Sequence, residues 1–208
     1  MYKIKDKIYG LIAVAYYLIF ILGLWSMGYL FKMKFNYYYI PYILLFIVAI
    51  TIVLKKDKSF DNLGFSKEKL KINMIISSVM ILAVFVFSAV LSSHPIHKLF
   101  KAALYYLFYI ALVEEILFRG FLQSYLFGFK LRKSDLFLIG GIFFSVSHLP
   151  FQIFAHDIEP VAYILNAFSQ LVFTFVFHML MCFITYKRKD ITIPVAIHFV
   201  IDYLQNVL

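Results

Sequence analysis

The stretch VEEILFRG, residues 113–120, places three ionisable side chains inside one of the most apolar parts of the chain. It lies between LYYLFYIAL (104–112) and FLQSYLF (121–127), which carry no charge. A charged side chain at the centre of a membrane helix costs about 2.5–3.5 kcal/mol. Groups kept in such a place usually mark a functional site or a proton relay, so this stretch is the starting point for both fold and function.

The rest of the sequence has the same apolar character. Of 208 residues, 63% are hydrophobic and 15% are charged, against about 45–50% and about 25% in a soluble domain. Apolar blocks of roughly 18–27 residues recur, and as a helix each can cross a hydrocarbon core of about 30 Å. We therefore predict an all-α polytopic membrane bundle of about seven transmembrane helices. The predicted spans are 10–31, 36–54, 72–92, 99–127, 136–154, 161–186 and 191–208.

The charged groups inside spans all lie in the second half of the chain. We divide the sequence into three N-terminal spans, residues 1–98, and a catalytic core formed by the last four spans, residues 99–208. The longest polar gap, 55–71, is too short to be a further domain. The single cysteine, Cys182, cannot form an internal disulfide and is interpreted as lipid-facing or packed filler.

The basic residues indicate how the chain is oriented. With the N-terminus in the cytoplasm, 15 Lys and Arg residues fall in the inner segments and 4 in the outer ones. Cytoplasmic loops carry an excess of basic residues. We predict a multi-pass protein of the bacterial inner membrane with a cytoplasmic N-terminus and an external C-terminus. The basic residues of the cytoplasmic segments explain the net charge of +9. The expected partner is therefore the lipid bilayer, and no nucleic acid is expected.

Helical spacing separates the two adjacent glutamates. Glu115 and Arg119 are four residues apart, so they share a helix face and are predicted to form a structural ion pair. Glu114 is offset by about 100° from Glu115 on an α-helix and is expected to point elsewhere. Glu114 is therefore the candidate reactive group.

Two further spans carry titratable groups at a similar depth. His198 and Asp202 are four residues apart and share a face, whereas His148 precedes Pro150, where the helix is expected to distort. At about 1.5 Å per residue, all of them fall between the middle and the cytoplasmic half of the membrane. We expect Glu114 and the two histidines to meet in one cavity that reaches the cytoplasm. His178 belongs to no motif and is interpreted as structural.

The motifs are, in chain order, Glu114-Glu115-x-x-x-Arg119, Phe144-x-x-x-His148 and His198-x-x-x-Asp202. Together they resemble the signature of the CAAX protease and bacteriocin-processing family of intramembrane endopeptidases. This family is also called the Abi family and is related to the Ras-converting CAAX endopeptidases. The resemblance covers about residues 99–208, and the first three spans carry no motif.

The resemblance implies a role for each residue. Glu114 would act with His148 to activate water, and His198 with residue 202 would stabilise the oxyanion. Many family members have Asn at position 202, and a carboxylate donates no hydrogen bond unless it is protonated. Asp202 is therefore expected to orient His198 and keep it protonated. No obligatory metal is expected, and the open alternative is Zn²⁺ held by Glu114, His148 and His198.

The implied substrate is a peptide, or a lipidated or membrane-spanning protein. In a bacterium, the family's expected roles are bacteriocin or pheromone processing, self-immunity and membrane-protein turnover. One alternative is a non-catalytic immunity or scaffold protein on the same fold, against which the complete set of motifs argues. Another is a small proton-coupled transporter that uses Glu114 and the histidines as a relay. Such a transporter would respond to a pH gradient and cleave no peptide.

Overall fold

The computed structural model describes residues 2–4, 6–65, 68–156 and 158–208, and every regular element in these ranges is helical. The first part contains α1 (Lys7–Lys32), α2 (Ile40–Asp57), the 3₁₀ turn Asp61–Leu63 and α3 (Leu70–Leu91). The second part contains α4 (Ile96–Leu104), a first π segment (Tyr105–Ala111), α5 (Leu112–Glu114), a second π segment (Glu115–Leu122), α6 (Gln123–Leu126), the 3₁₀ turn Phe127–Phe129, α7 (Lys133–Ser147), α8 (Leu149–His156), α9 (Pro160–Asn166), α10 (Phe168–Arg188) and α11 (Thr192–Val207).

The chain is a multi-pass membrane protein by the length and composition of its helices. Among the described residues, four helical stretches are long and apolar enough to span a membrane: Lys7–Lys32, Leu70–Leu91, Lys133–His156 and Phe168–Arg188. Large apolar side chains cover the outer surface, and Val90 on α3 is 77% exposed. The all-helical prediction is confirmed, whereas the predicted count of seven spans is not. Two of the predicted spans are interrupted helices, because α7 gives way to α8 at His148 and α9 to α10 at Ala167.

Local sequence signals explain where several helices begin and end. The Asp6 side chain accepts a hydrogen bond from the Ile8 amide at 2.9 Å and so caps the start of α1. Three lysines in the left-handed conformation end helical segments: Lys58, Lys130 and Lys189, with φ between 51° and 58°. A lysine at a helix C-terminus also interacts favourably with the helix dipole.

The described loops gather at two opposite ends of the bundle. At one end, Lys189 Nζ lies 2.7 Å from the Glu68 carboxylate, and this hydrogen bond holds the pKa of Glu68 below its ordinary value. The Ile191 amide donates to the Gly64 carbonyl at the same end, at 3.0 Å. At the other end, the Ser92 hydroxyl donates to the Val207 carbonyl at 2.8 Å. The described residues of 55–71 therefore share one end with 187–190, and the hydrogen bond from the Tyr125 hydroxyl to Asp57, at 3.0 Å, places residues 128–135 near the same end. His156 and Gln205 line one cavity at the other end.

One large apolar cluster holds the bundle together. It includes Ala13 and Phe20 from α1, Leu117 and Phe121 from the second π segment, and Phe199 from α11. The cluster therefore joins side chains from both sides of the boundary near residue 98. The division into residues 1–98 and 99–208 stays a prediction from the sequence. In this structure the two parts share a core, and the N-terminal helices support the helix that carries Glu114.

Candidate active site

The helix that carries the two glutamates changes its hydrogen-bonding pattern on both sides of Glu114. The first π segment ends at Ala111 and the second begins at Glu115, which leaves only α5 between them. A π segment has i→i+5 hydrogen bonds and a wider turn, so successive side chains are separated by less than 100°. The sequence analysis assumed α-helical spacing throughout and could not predict these two segments.

The Glu115–Arg119 pair lies fully inside the protein. Arg119 Nη1 is 3.0 Å from Glu115 Oε1, and both side chains are completely buried. The guanidinium carbon also lies 4.0 Å from the centre of the Phe144 ring and 5.2 Å from that of Phe177. A cation that packs against two aromatic rings and pairs with a carboxylate is stabilised in a place where water cannot reach it.

His198 on α11 is the residue where the charged groups meet. Its Nδ1 lies 2.9 Å from Glu115 Oε1, the same oxygen that contacts Arg119. Its Nε2 lies 3.4 Å from Asp202 Oδ2 and 3.8 Å from Glu114 Oε2. Ionised carboxylates only accept hydrogen bonds, so this surrounding favours a proton on both ring nitrogens. His198 can therefore act as a hydrogen-bond donor at Nε2.

Both glutamates approach His198, although only Glu114 lines the cavity. Glu115 Oε1 lies 2.9 Å from His198 Nδ1, and Glu114 Oε2 lies 3.8 Å from His198 Nε2, at the point where the helix passes from α5 into the second π segment. They still differ in environment. The Glu115 side chain is fully buried, whereas the Glu114 side chain is 22% exposed. Glu114 Oε2 is itself buried and accepts no hydrogen bond from any described residue, whereas the side chain as a whole is partly exposed.

His148 ends α7, immediately before the helix restarts at Leu149. Its Nδ1 lies 2.8 Å from the Phe144 carbonyl, which can only accept, so Nδ1 carries the proton. In the neutral ring, Nε2 then keeps its lone pair and can accept a proton from water. No hydrogen bond or ion pair joins His148 to Glu114 or His198 within the described part of the chain. The break at His148, next to Pro150, is where the sequence predicted a distortion.

A cavity of about 810 Å³ brings the predicted residues together. Its wall includes Glu114, His148, His198 and Asp202, and neither Glu115 nor Arg119 lines it. Phe144 and Phe177, which enclose the Arg119 guanidinium, separate the buried ion pair from the open space. With His156, which also lines it, the cavity is bordered by three imidazoles and two carboxylates, from three different parts of the chain.

The cavity extends toward the end of the bundle that holds the end of α8, the start of α10 and the end of α11. Exposed side chains line it there, among them His156, Ser169 and Gln205. The predicted topology places this end outside the cell, whereas we also predicted a cavity that reaches the cytoplasm. These two expectations are incompatible in this structure. The depth of a residue along its helix does not predict toward which end of the bundle the helices separate.

Several cavity residues were missed by the sequence analysis. Gln152 and His156 follow His148 at intervals of four residues on α8 and line the same cavity. The i, i+4, i+8 spacing was the available signal. Gln170 and Gln205 also line the cavity and carry no sequence motif.

A metal ion does not fit the residues as they stand. Among the described residues, no group of three or more His, Cys, Asp or Glu side chains is close enough to hold one. The alternative zinc set of Glu114, His148 and His198 is therefore not assembled here. His148 Nδ1 faces its own helix, and His198 Nδ1 faces Glu115. Only the Nε2 atoms of the two rings remain for a ligand.

The fold and the site define a class of protein: a helical membrane protein with a buried ion pair behind a cavity of carboxylates and imidazoles. The family model described as type II CAAX prenyl endopeptidase Rce1-like matches residues 96–204, slightly more than half of the chain. The chain therefore belongs to the Rce1-like family, which is a family of proteases. Searches among curated proteins and among solved structures gave no match. The family match agrees with the resemblance stated from the three motifs.

Proposed function

We propose that the protein is an intramembrane endopeptidase that hydrolyses a peptide bond with water activated by Glu114 and His148. The observation that carries the proposal is the position of His198, between the Glu114, Glu115 and Asp202 carboxylates at the wall of one cavity. Peptide hydrolysis requires a base for water, a donor for the oxyanion and a proton for the leaving amine. The side chains around this cavity can supply all three.

The proposed reaction has two steps. First, Glu114 takes a proton from a water molecule that donates a hydrogen bond to His148 Nε2 through its other hydrogen. The water oxygen then attacks the scissile carbonyl carbon. The carbonyl oxygen becomes negative and accepts a hydrogen bond from His198 Nε2. Second, the C–N bond breaks, and the proton held by Glu114 passes to the leaving amine. The products are a carboxylic acid and an amine, and Glu114 is again ionised.

The buried pair has a supporting part in this proposal. Glu115 holds His198 through Nδ1 and is itself held by Arg119. This arrangement fixes the ring and favours its charged form before substrate arrives, which is how a preorganised donor lowers an activation barrier. Asp202, at 3.4 Å from Nε2, would favour the same charged form. We assign Asp202 to orienting His198 and not to direct donation.

The substrate that we propose is a peptide, or a lipidated or membrane-associated protein. Apolar side chains such as Ile110, Phe173 and Ile201 line the cavity together with the amides of Gln152 and Gln170. Amides can bond a peptide backbone, and the apolar walls can hold side chains or a lipid group. Bacteriocin or pheromone processing, or self-immunity, is the role that we propose in a bacterial inner membrane. The proposed orientation has the N-terminus in the cytoplasm.

The test is cleavage by purified protein in detergent or liposomes, with candidate leader peptides and prenylated C-terminal peptides as substrates. Hydrolysis in H₂¹⁸O should put one ¹⁸O atom into the new carboxyl group, which mass spectrometry detects. The Glu114→Gln variant should show no cleavage above background. If the native protein instead moves protons across liposomes without cleaving any peptide, the transporter alternative is favoured.

A further inference from the structure

We propose that Tyr2 is a positioning residue for the active site. Its hydroxyl holds the second π segment in the conformation that brings Glu115 and Arg119 to His198. The kinetic consequence rests on the proposed endopeptidase function, whereas the structural consequence does not. Tyr2 touches neither the cavity nor His198, so it would act only through the backbone of the second π segment.

Tyr2 is held in place by close packing. Its side chain is only 6% exposed. Its ring stacks on Phe127 at 4.9 Å and meets the edge of Phe137 at 6.0 Å. Its φ of 58° lies in the left-handed region, which is unusual for a bulky residue and persists only where the surroundings impose it.

The contact that this placement produces is a hydrogen bond to the second π segment. The Tyr2 hydroxyl donates to the Arg119 carbonyl at 2.9 Å, in a buried setting and across 117 residues of sequence. Arg119 is the residue whose guanidinium pairs with Glu115. π segments are rare, and they are common at functional sites. A bond from outside the helix to a carbonyl of such a segment favours its wider turn over an ordinary α-helix.

A second set of contacts connects the surroundings of Tyr2 with the end of the second π segment. Tyr2, Phe137 and Cys182 form a small buried cluster. Cys182 Sγ lies 3.1 Å from His178 Nε2, which lies 3.2 Å from Gln123 Oε1, and Gln123 directly follows the π segment. All three side chains are fully buried. His178 and Cys182, which the sequence left without a function, thus belong to the polar packing beneath the active site.

The consequence of losing the Tyr2 hydroxyl follows from these contacts. The second π segment would open more often, and Glu115 would hold His198 less precisely. A neutral hydrogen bond contributes an amount that corresponds to about a two- to tenfold change in an equilibrium or rate. Because Tyr2 does not line the cavity, the loss should appear in kcat and not in KM.

The experiment compares Tyr2→Phe with Tyr16→Phe in the full chain. Both variants keep the aromatic ring and lose one hydroxyl that donates a hydrogen bond to a backbone carbonyl. For Tyr16 that acceptor is the Leu45 carbonyl, at 2.8 Å, on α2 and outside the π segment. Four quantities are measured for each variant: amide hydrogen exchange of peptides covering residues 115–122, kcat for a cleaved peptide, KM for the same peptide, and the thermal midpoint.

The expected result for Tyr2→Phe is exchange in residues 115–122 that is about two- to tenfold faster, with kcat lower by a similar factor and KM unchanged. Tyr16→Phe should leave both quantities within the error of the native protein, even if its thermal midpoint falls by the same amount. Unchanged exchange in Tyr2→Phe, or equal effects in the two variants, would overturn the proposal. If no peptide is cleaved by the native protein, the endopeptidase proposal fails, and the exchange comparison still decides the role of Tyr2.

Discussion

His198 Nδ1 lies 2.9 Å from Glu115 Oε1, although the two residues are 83 positions apart in the sequence. The same oxygen lies 3.0 Å from Arg119 Nη1. Glu115 Oε1 therefore contacts both the Arg119 guanidinium, on its own helix, and the His198 imidazole, which lines the cavity from α11. The sequence analysis treated Glu115–Arg119 and His198–Asp202 as two separate pairs. Because they form one network, a change at Glu115 should affect stability and chemistry together.

The first prediction concerns Glu115. Glu115→Gln removes the charge opposite Arg119 inside the bundle, and breaking a buried pair in this way costs about 3–5 kcal/mol. The variant should unfold at lower temperature in detergent and also lose activity, because His198 loses the partner of its Nδ1. Thermal unfolding and peptide cleavage at a temperature where the variant is folded measure the two effects. Full activity in a folded Glu115→Gln protein would contradict the network.

The matched control is Arg132→Gln. Arg132 also pairs with a carboxylate on its own helical turn, Asp135 at 3.0 Å, but its side chain is 85% exposed. An exposed pair contributes between nothing and about 1 kcal/mol. This variant should leave the thermal midpoint and the activity nearly unchanged. A similar loss of stability in both variants would mean that burial is not the cause.

The second prediction separates Glu114 from its neighbour. Glu114→Gln keeps the shape of the side chain but cannot accept a proton from water, and loss of a general base typically lowers the rate by about 10²–10⁴-fold. The thermal midpoint should stay close to that of the native protein, since Glu114 is partly exposed and its contact to His198 is long, at 3.8 Å. Retained activity would show that another group is the base, and His148 would then be the first candidate.

Comparing sequence with structure shows which features spacing can predict. The pairs Glu115–Arg119 and His198–Asp202 followed from helical periodicity, and the helix break at His148 followed from Pro150. The contact between His198 and Glu115 could not be predicted, because it depends on how two helices pack. The two π segments could not be predicted either, since no residue type favours a π segment as specifically as proline favours a helix break. These segments lie on either side of Glu114.

The third prediction concerns Asp202, which stands where many family members have Asn. Asp202→Asn removes a negative charge 3.4 Å from His198 Nε2 and leaves Glu115 in place at Nδ1. Activity should therefore remain within about tenfold, a change of roughly 1.4 kcal/mol in the barrier. The basic limb of the activity profile should move to lower pH, because one opposite charge no longer favours the protonated ring. A profile that moves to higher pH would show that Asp202 does not act through His198.

The fourth prediction concerns the metal. Extended dialysis of purified protein against a chelator should leave peptide cleavage unchanged, and added zinc should not increase it. The reason is the donor set, since within the described part of the chain no three His, Cys, Asp or Glu side chains are arranged so that they could hold a metal ion. Elemental analysis of the same samples provides the check. If the purified protein instead contains stoichiometric metal, loses activity when the metal is removed and regains it when the metal is returned, zinc held by Glu114, His148 and His198 is supported.

The last prediction decides on which side of the membrane the cavity opens. Ser169 is exposed at the cavity end of the bundle, and Ser134 is exposed at the basic end, so each can be replaced by cysteine. The native Cys182 is fully buried and should not react with a membrane-impermeant maleimide. If the excess of basic residues sets the topology, Ser169→Cys should be labelled in intact cells and Ser134→Cys only after permeabilisation. The cavity would then open to the outside. The reverse labelling would place the cavity in the cytoplasm and make this chain an exception to the positive-inside rule.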